Sequence, residues 1–241
     1  MRLDVYLFER GITRSRTEAK SIIADSLVTV NGKLATKPSL EVSDEDRVEV
    51  ADISERYVSR GGLKLKCAID SFDFTIAGKR ALDVGASSGG FTDCLLRHGA
   101  ISVIAVDSGI NQLVDSLRRD SRVTVIENYN ARFMRREDLP YVPDLAVMDV
   151  SFISATYIMP ALAECLPSGA DFICLIKPQF EVGRANIGKG GIVKDEKART
   201  LAVERVVAFA DSVGFDKLAL VKSSIVGGDG NVEFLAHFRK R

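Results

Sequence analysis

The stretch DVGASSGGFTD, residues 83–93, is the first segment whose residue types could bind a ligand. A triphosphate-binding loop needs a lysine after its glycines, and this stretch contains none. A dinucleotide-binding loop needs a glycine two positions after Gly85, where this chain has Ser87, and the carboxylate of Asp83 would repel a pyrophosphate. A carboxylate beside a glycine turn suits a cationic ligand, and S-adenosylmethionine carries both a sulfonium and an ammonium group. The stretch therefore favours S-adenosylmethionine.

Two later strand ends could complete a site for that nucleoside. The apolar run ISVIAVD ends in Asp107, where the second strand of such a fold offers a carboxylate to the ribose hydroxyls. The run VIEN ends in Asn128, which, with Asn130 close by, could reach the adenine edge. Asp107 could instead cap the helix that follows it, so the residues alone leave both interpretations open.

Four charged residues could react with a substrate. Asp149 follows the apolar run LAVM, where an acid is costly unless it caps a helix or has a function. Lys177 ends the run CLIK, and Pro178 forces the chain out of regular structure directly after it. Lys64 lies on a predicted helix, and Glu233 begins the last predicted strand. Each could equally be a solvated charge on a helix, strand or loop surface.

The elements that must position these residues alternate along the chain. Near-continuous apolar runs alternate with amphipathic ones from RALDVG to DFICLIKP, which predicts a parallel sheet covered by helices on both faces. A last helix, from about Asp195 to Val213, precedes two strands joined by the GGDGN loop, an antiparallel hairpin at the sheet edge. The fold class is therefore α/β, with a Rossmann-like sheet.

A smaller α+β unit precedes that sheet. Apolar residues recur at helical spacing from Arg2 to Arg10 and from Ser15 to Ile23, and an Asn31-Gly32 turn predicts a hairpin. We expect an N-terminal domain over residues 1–52, a linker over 53–60 and the larger domain over 61–241.

Composition limits the function classes. The 33 basic residues balance 33 acidic ones, so nucleic-acid binding has to depend on the local basic excess within residues 1–37. The four cysteines form no CxxC pair, no His/Cys/Asp cluster has the spacing of metal ligands, and His98 and His237 suit structural roles. The absence of such a cluster leads us to expect a protein that needs no metal. Acidic residues interrupt the N-terminal apolar run and no run approaches the roughly 18 residues of a membrane span, so we expect a cytoplasmic protein.

A family resemblance runs along nearly the whole chain. It is carried, in order, by RLD, NGKLATKP, YVSRGGLKL, DVGASSGGFTDCLL, AVD, DVSFIS, IKPQFEVGR, KGGIV and GNVEFL. In these segments the chain resembles the TlyA family of haemolysin-annotated bacterial proteins, which are ribosomal RNA 2′-O-methyltransferases. The resemblance implies an FtsJ-like, S-adenosylmethionine-dependent catalytic domain that follows an RNA-binding domain like that of a small-subunit ribosomal protein.

The resemblance also assigns residues. It implies a catalytic tetrad of Lys64, Asp149, Lys177 and Glu233. It implies cofactor contacts from the glycine stretch and the next strand, at Asp83, Gly85, Ser87, Gly89 and Asp107, and to these we add Ala86 and Asn128. It implies a phosphate-binding role in RNA recognition for Arg2, Arg14, Arg16, Lys20 and Lys33.

The chain departs from the family pattern in two places. The linker motif Arg-any-Trp-Val is replaced by Glu55, Arg56, Tyr57 and Val58, and the second-strand motif VDVG is replaced by VDSG. The extent of the chain resembles the short form of the family, which is associated with a cytidine of the large ribosomal subunit.

A ribose hydroxyl is a poor nucleophile at neutral pH, so methyl transfer needs a base or an oriented acceptor. We hypothesise that Lys177 approaches the hydroxyl near Lys64, while Asp149 and Glu233 hold the two amines. The alternatives are a ribosome-binding factor that retains the fold without turnover and, less in keeping with the sequence, a haemolysin.

Overall fold

The computed structural model describes residues 1–13, 15–24, 27–50, 57–227 and 230–241. The chain divides into two compact units, Met1–Arg56 and Tyr57–Arg241. The first four positions of the predicted linker, 53–56, include Glu55 and Arg56 and lie outside the described residues, as does Arg14.

The first unit consists of two short helices and a small antiparallel sheet. The sheet has the strand order β2-β1-β3. Leu3 and Leu7 of the first helix pack with Ile22 and Ile23 of the second, as their helical spacing predicts. Positive φ angles at Asn31 (51°) and Gly32 (74°) form the predicted hairpin turn. The elements are α1 (Leu3–Glu9), α2 (Arg16–Ala24), β1 (Val28–Val30), β2 (Lys33–Leu34) and β3 (Val48–Val50).

The second unit is built on a seven-stranded sheet with the order β6-β5-β4-β7-β8-β10-β9. The first five strands in this order are parallel, and β10 and β9 run antiparallel at one edge, so the predicted sheet and its terminal hairpin are confirmed. The strands are β4 (Arg80–Val84), β5 (Ser102–Val106), β6 (Val123–Ile126), β7 (Leu145–Met148), β8 (Asp171–Ile176), β9 (Phe215–Lys222) and β10 (Phe234–Lys240).

Helices cover both faces of this sheet, as the apolar strands require. One buried cluster joins the sheet to α3 and α4 through residues such as Leu65 and Leu95, and a second joins it to α6 and α8 through Leu162 and Val206. The helices are α3 (Gly61–Ser71), α4 (Gly90–Arg97), α5 (Asp115–Arg118), α6 (Met159–Cys165), α7 (Pro178–Glu181) and α8 (Glu196–Ser212).

Two predicted helices differ from the observed ones. The segment ISATYIMPALAECL, Ile153 to Leu166, reads as one helix in the sequence. It consists instead of a 3-10 turn, Ala155–Tyr157, followed by α6, because Pro160 fits only the first turn of a helix. In the helix before β4, the spacing of Leu63, Cys67 and Phe72 predicts that these residues share the buried face. The structure instead turns Lys64, Leu65 and Ala68 inward.

Residues 57–60 of the predicted linker pack on the second unit. The Tyr57 side chain is buried, and the Val58 backbone N–H donates to the Asp93 carboxylate on α4 (2.8 Å). Any Cβ at position 62 would lie 2.3 Å from the Tyr57 ring, so glycine is needed there. This contact fixes the start of α3, the helix that carries Lys64.

Candidate active site

The candidate site lies at the carboxyl ends of the parallel strands. β4 is the strand at which the order of the sheet reverses, since β5 pairs on one side of it and β7 on the other. Ligands of open α/β sheets bind at such a point. The loop after β4 turns sharply through positive φ angles at Gly85 (83°) and Ser87 (48°). A Cβ at position 85 would lie 2.4 Å from the Asp149 carbonyl oxygen, so only glycine allows the ends of β4 and β7 to approach this closely.

A cavity of about 420 Å³, here called the Asp107 cavity, opens beside this loop. Its volume is within the usual range for small-molecule and cofactor sites. The lining includes Gly85, Ser87, Asp107, Tyr129, Asn130 and Asp149.

Asp107 has two structural contacts in this cavity. Its carboxylate accepts hydrogen bonds from the backbone N–H groups of Ser87 (2.8 Å) and Gly109 (2.7 Å), so it joins the glycine loop to the end of β5. Each carboxylate oxygen can accept a second hydrogen bond, which leaves capacity for two ribose hydroxyls. The motif VDSG, which replaces the family's VDVG, retains Gly109, the glycine whose backbone N–H donates to Asp107. The residues present thus fit a nucleoside ligand such as S-adenosylmethionine.

Not every predicted cofactor residue lines this cavity. Asp83 lies outside the lining: its side chain is fully buried, accepts a hydrogen bond from Thr92 Oγ1 (2.6 Å), and has its pKa raised to about 7 by burial. Gly89, with φ of 100°, lies under Leu117, which a Cβ would approach to 2.3 Å. Ala86 lines a neighbouring cavity, described below. Asn128 is exposed and outside the lining, where its neighbours Tyr129 and Asn130 are found instead.

Lys177 and Asp149 form the first of two ion pairs at this edge. Lys177 Nζ lies 2.5 Å from Asp149 Oδ1 and donates a hydrogen bond to Ser151 Oγ (2.7 Å). Asp149 follows β7 and Lys177 follows the adjacent parallel strand β8, so both side chains lie at the same edge of the sheet. An ammonium group has three donors, so with two engaged one remains for a ligand.

Lys64 and Glu233 form the second ion pair. Lys64 Nζ lies 2.6 Å from Glu233 Oε2, and the two side chains are only 8% and 2% exposed. Glu233 reaches this edge because β10 is antiparallel to β8: Phe234 pairs with Ile176, so the residue before β10 lies level with the residue after β8. The second partner, Lys64, comes from α3, whose start packs so closely on α4 that a Cβ at Gly90 would lie 2.8 Å from the Gly62 nitrogen.

Two further cavities connect the ion pairs to the Asp107 cavity. The first, about 280 Å³ and here called the Gly90 cavity, shares Gly85, Ser87 and Asp149 with the Asp107 cavity. The second, about 420 Å³ and here called the Glu233 cavity, is lined by both lysines and by Glu233. Lys64, Ser151 and Lys177 line both of these cavities. All four predicted catalytic residues therefore lie around one continuous recess.

Sequence reasoning missed two residues of this recess. Ser151 is the hydroxyl partner of Lys177. Phe152 is 93% exposed, has a φ of 65°, and lines both the Asp107 and the Glu233 cavities. A bulky residue in this backbone region is strained, and an exposed aromatic ring gains nothing from burial, so its placement indicates a function. The only sequence signal was the position of DVSF directly after a strand.

Two of the predicted RNA-binding residues in the first unit, Arg2 and Arg16, share one acidic partner. Arg2 Nε (2.9 Å) and Arg16 Nη2 (3.0 Å) both donate to the carboxylate of Asp4, which is completely buried. Hydrogen bonding to Arg2 is the main reason that the pKa of Asp4 falls to about 2. Both guanidinium groups keep further N–H donors at the surface, and Lys20 and Lys33 are exposed.

The histidines have structural partners. His237 is buried, forms a 2.8 Å contact with Asp171 and stacks on Phe72, while His98 Nδ1 contacts the carbonyl oxygen of Cys94. Within the described residues, no group of three metal-ligating side chains could hold an ion, and no helix is long and apolar enough to cross a membrane.

The fold and the recess are those of an S-adenosylmethionine-dependent methyltransferase. The FtsJ-like methyltransferase model matches residues 57–240, and the S4 domain model matches residues 1–48. The chain therefore belongs to the FtsJ-like methyltransferase family and carries an S4 domain, which confirms the predicted class.

Three similar proteins narrow the family further. A 16S/23S rRNA (cytidine-2′-O)-methyltransferase TlyA from Mycobacterium tuberculosis is 43% identical, over 99% of this chain and 89% of that protein. A 23S rRNA (cytidine-2′-O)-methyltransferase TlyA from Campylobacter jejuni is 34% identical, over the full length of both. A solved structure, described as a hemolysin from Streptococcus thermophilus, has a TM-score of 0.79 and 43% identity, over 100% of this chain and 88% of that one. The predicted TlyA resemblance is confirmed.

Proposed function

We propose that this protein transfers a methyl group from S-adenosylmethionine to the ribose 2′-hydroxyl of a cytidine in ribosomal RNA. The observation that carries this proposal is the pair of lysine–carboxylate ion pairs beside the Asp107 cavity. The acceptor class follows from the two TlyA relatives, whose names state a cytidine 2′-O position. Such an enzyme would act where ribosomal subunits assemble, in the cytoplasm.

When bound, S-adenosylmethionine supplies an activated methyl group, so the protein has to hold the acceptor oxygen in line and remove its proton. We assign the cofactor site to Gly85, Ser87 and Asp107, with Tyr129 and Asn130 replacing Asn128 at the base end. The ribose hydroxyls would bind the free lone pairs of Asp107.

Lys177 is proposed to bind the acceptor hydroxyl at the one Nζ position that Asp149 and Ser151 leave open, which in the amine form is the lone pair. As the oxygen gains the methyl group, the hydroxyl proton passes to Lys177 in its amine form, and the resulting ammonium is stabilised by Asp149 and Ser151. Because these two acceptors are already 2.5 and 2.7 Å from Nζ, no rearrangement is needed to stabilise the charge. Lys64, held by Glu233, would provide a second donor to the acceptor ribose or its phosphate.

Phe152 supports an RNA acceptor over a small molecule. Single-stranded bases are commonly recognised by stacking on aromatic side chains. An exposed ring that borders the Asp107 and Glu233 cavities is well placed for the base whose ribose enters between the lysines. The S4 domain would supply the first RNA contacts through Arg2, Arg16, Lys20 and Lys33; Arg14 remains a prediction from sequence.

For the choice of ribosomal subunit, we propose the large subunit as substrate, because it is the only one named for the Campylobacter jejuni relative.

The test is transfer of labelled methyl groups to separated small and large ribosomal subunits, followed by mass spectrometry of the nucleosides. We expect 2′-O-methylcytidine in large-subunit RNA, and a loss of about 10²–10⁴-fold in rate for Lys177→Ala, the usual contribution of a general base. Lys217→Ala, which removes an exposed lysine from β9, is the control and should retain the full rate. Transfer to neither subunit would refute the proposed function, and an active Lys177→Ala variant would refute the role of Lys177.

A further inference from the structure

A fourth cavity, of about 520 Å³, borders the recess at Phe152 and Phe180 and is here called the Arg205 cavity. It is not needed for the donor or for the acceptor ribose. It shares Phe152, Gln179 and Phe180 with the Glu233 cavity, and the rings of Phe152 and Phe180 lie 5.4 Å apart. If one nucleotide of an RNA strand occupied the Glu233 cavity, the next nucleotide of that RNA could therefore occupy the Arg205 cavity.

The lining combines aromatic rings with polar groups that suit a nucleotide. Tyr157 is 54% exposed, and its ring lies 4.9 Å from the Arg132 guanidinium. The hydroxyl of Thr156 and the amide of Gln179 lie on the same wall, and Gln179 Oε1 has no hydrogen-bond partner among the described residues. Stacking surfaces beside hydrogen-bonding groups are characteristic of single-stranded RNA sites.

Arg205 provides the positive charge of this cavity. It extends from α8, and its Nη1 donates to the backbone oxygen of Glu181 (3.0 Å), which fixes the guanidinium at the rim. Within the described part of the chain, no carboxylate forms an ion pair with it, so its other donors are available to a phosphate.

The one acid in the lining is already satisfied. The buried Glu181 carboxylate accepts hydrogen bonds from Ser154 Oγ (2.5 Å) and from the Ala155 backbone N–H (2.8 Å). Burial raises the pKa of Glu181, and the positive charge of Arg205 opposes that shift. Glu181 is buried and Arg205 is exposed, so the charge that a ligand entering the cavity meets is that of Arg205.

We infer that the Arg205 cavity binds an RNA nucleotide adjacent to the methylated one, with its base against Tyr157 and Phe180 and its phosphate on Arg205. This inference rests on the proposed function, since it assumes an RNA acceptor. It makes the cavity a subsite that recognises single-stranded sequence around the acceptor.

The test measures binding to purified large ribosomal subunits at several salt concentrations for three proteins: wild type, Arg205→Ala and Lys197→Ala. Lys197 lies on the same helix, is exposed, and lines none of the four cavities, so its removal controls for the loss of one positive charge. Arg205→Ala should reduce the slope of log K against log salt by about 0.7–0.9, the effect of one phosphate contact, and weaken binding roughly tenfold. Lys197→Ala should change neither quantity.

Tyr157→Ala separates stacking from charge. It should weaken RNA binding by about 5- to 150-fold with an unchanged salt slope, since a stacked base is worth roughly 1–3 kcal/mol. Both Arg205→Ala and Tyr157→Ala should bind S-adenosylmethionine as wild type does. The inference is overturned if the slope for Arg205→Ala equals that for Lys197→Ala, or if cofactor affinity falls along with RNA affinity, which would indicate a structural role. A wild-type protein that binds subunits with the expected slope but transfers no methyl group would refute the proposed function and leave the subsite standing.

Discussion

Removing Glu233 should destabilise the second unit far more than removing an ordinary surface acid. Glu233→Leu leaves the Lys64 ammonium without its 2.6 Å partner in a position where the lysine side chain is only 8% exposed. Breaking a buried ion pair from one side costs about 3–5 kcal/mol, because an uncompensated charge stays buried. For a domain of this size the loss corresponds to a fall in melting temperature of roughly 6–20 °C.

The informative comparison is the double variant Lys64→Met/Glu233→Leu. Replacing both charges by apolar side chains of similar volume is often neutral or stabilising, so the double variant should regain most of the lost stability. It should nevertheless transfer no methyl groups, because the second amine of the recess is gone.

Urea unfolding monitored by circular dichroism, together with the methyl-transfer assay, measures both effects. A single variant that loses less than about 1 kcal/mol would mean that the pair is solvated, as exposed pairs are. A double variant as unstable as the single one would mean that packing, not charge, explains the loss. A stable and active double variant would refute the catalytic assignment of this pair.

Three other perturbations test separate parts of the site. Asp107→Asn should weaken S-adenosylmethionine binding by about 10- to 100-fold in calorimetry, because the ribose hydroxyls lose a charged acceptor; unchanged affinity would contradict the assignment. Ser151→Ala should lower the single-turnover rate roughly tenfold without altering cofactor affinity, because Lys177 loses an acceptor at 2.7 Å; an equal loss of cofactor affinity would point to a collapsed loop instead. Burial raises the pKa of Asp83 from its ordinary value of 3.8 to about 7 in the folded protein. The folded state therefore binds the proton more tightly than the unfolded state, and the free energy of unfolding should fall as pH rises between these two values. Asp83→Asn should remove that fall and exceed wild-type stability at pH 8 in urea titrations, and a parallel pH dependence in both proteins would count against it.

The parts of the site that follow parallel strands could be predicted from sequence. Asp107, Asp149 and Lys177 each end an apolar run, and the carboxyl ends of parallel strands meet at one edge of a sheet. The topology therefore brings these three together once the alternation of strands and helices is recognised.

The remaining parts depend on side-chain direction, which periodicity does not reveal. Lys64 faces inward, where its ammonium pairs with the buried Glu233 carboxylate. A helical hydrophobicity pattern would instead place the lysine on the solvent face and Leu63 on the buried face. Asp83 turns to Thr92 and lines none of the four cavities, although its place before the glycine loop suits a cationic ligand. The φ of 65° at Phe152 has no counterpart in local sequence preference, because a bulky residue rarely adopts that backbone region.

The pairing of Lys64 with Glu233 also constrains how the protein can be made. Lys64 lies near the start of the second unit and Glu233 near its end, so the lysine leaves the ribosome long before its partner has been synthesised. Until then, α3 cannot settle on the sheet without burying an unpaired charge. Folding of this unit should therefore wait for the last strand to insert between β8 and β9, and nascent chains stopped before residue 233 should remain unable to complete the recess.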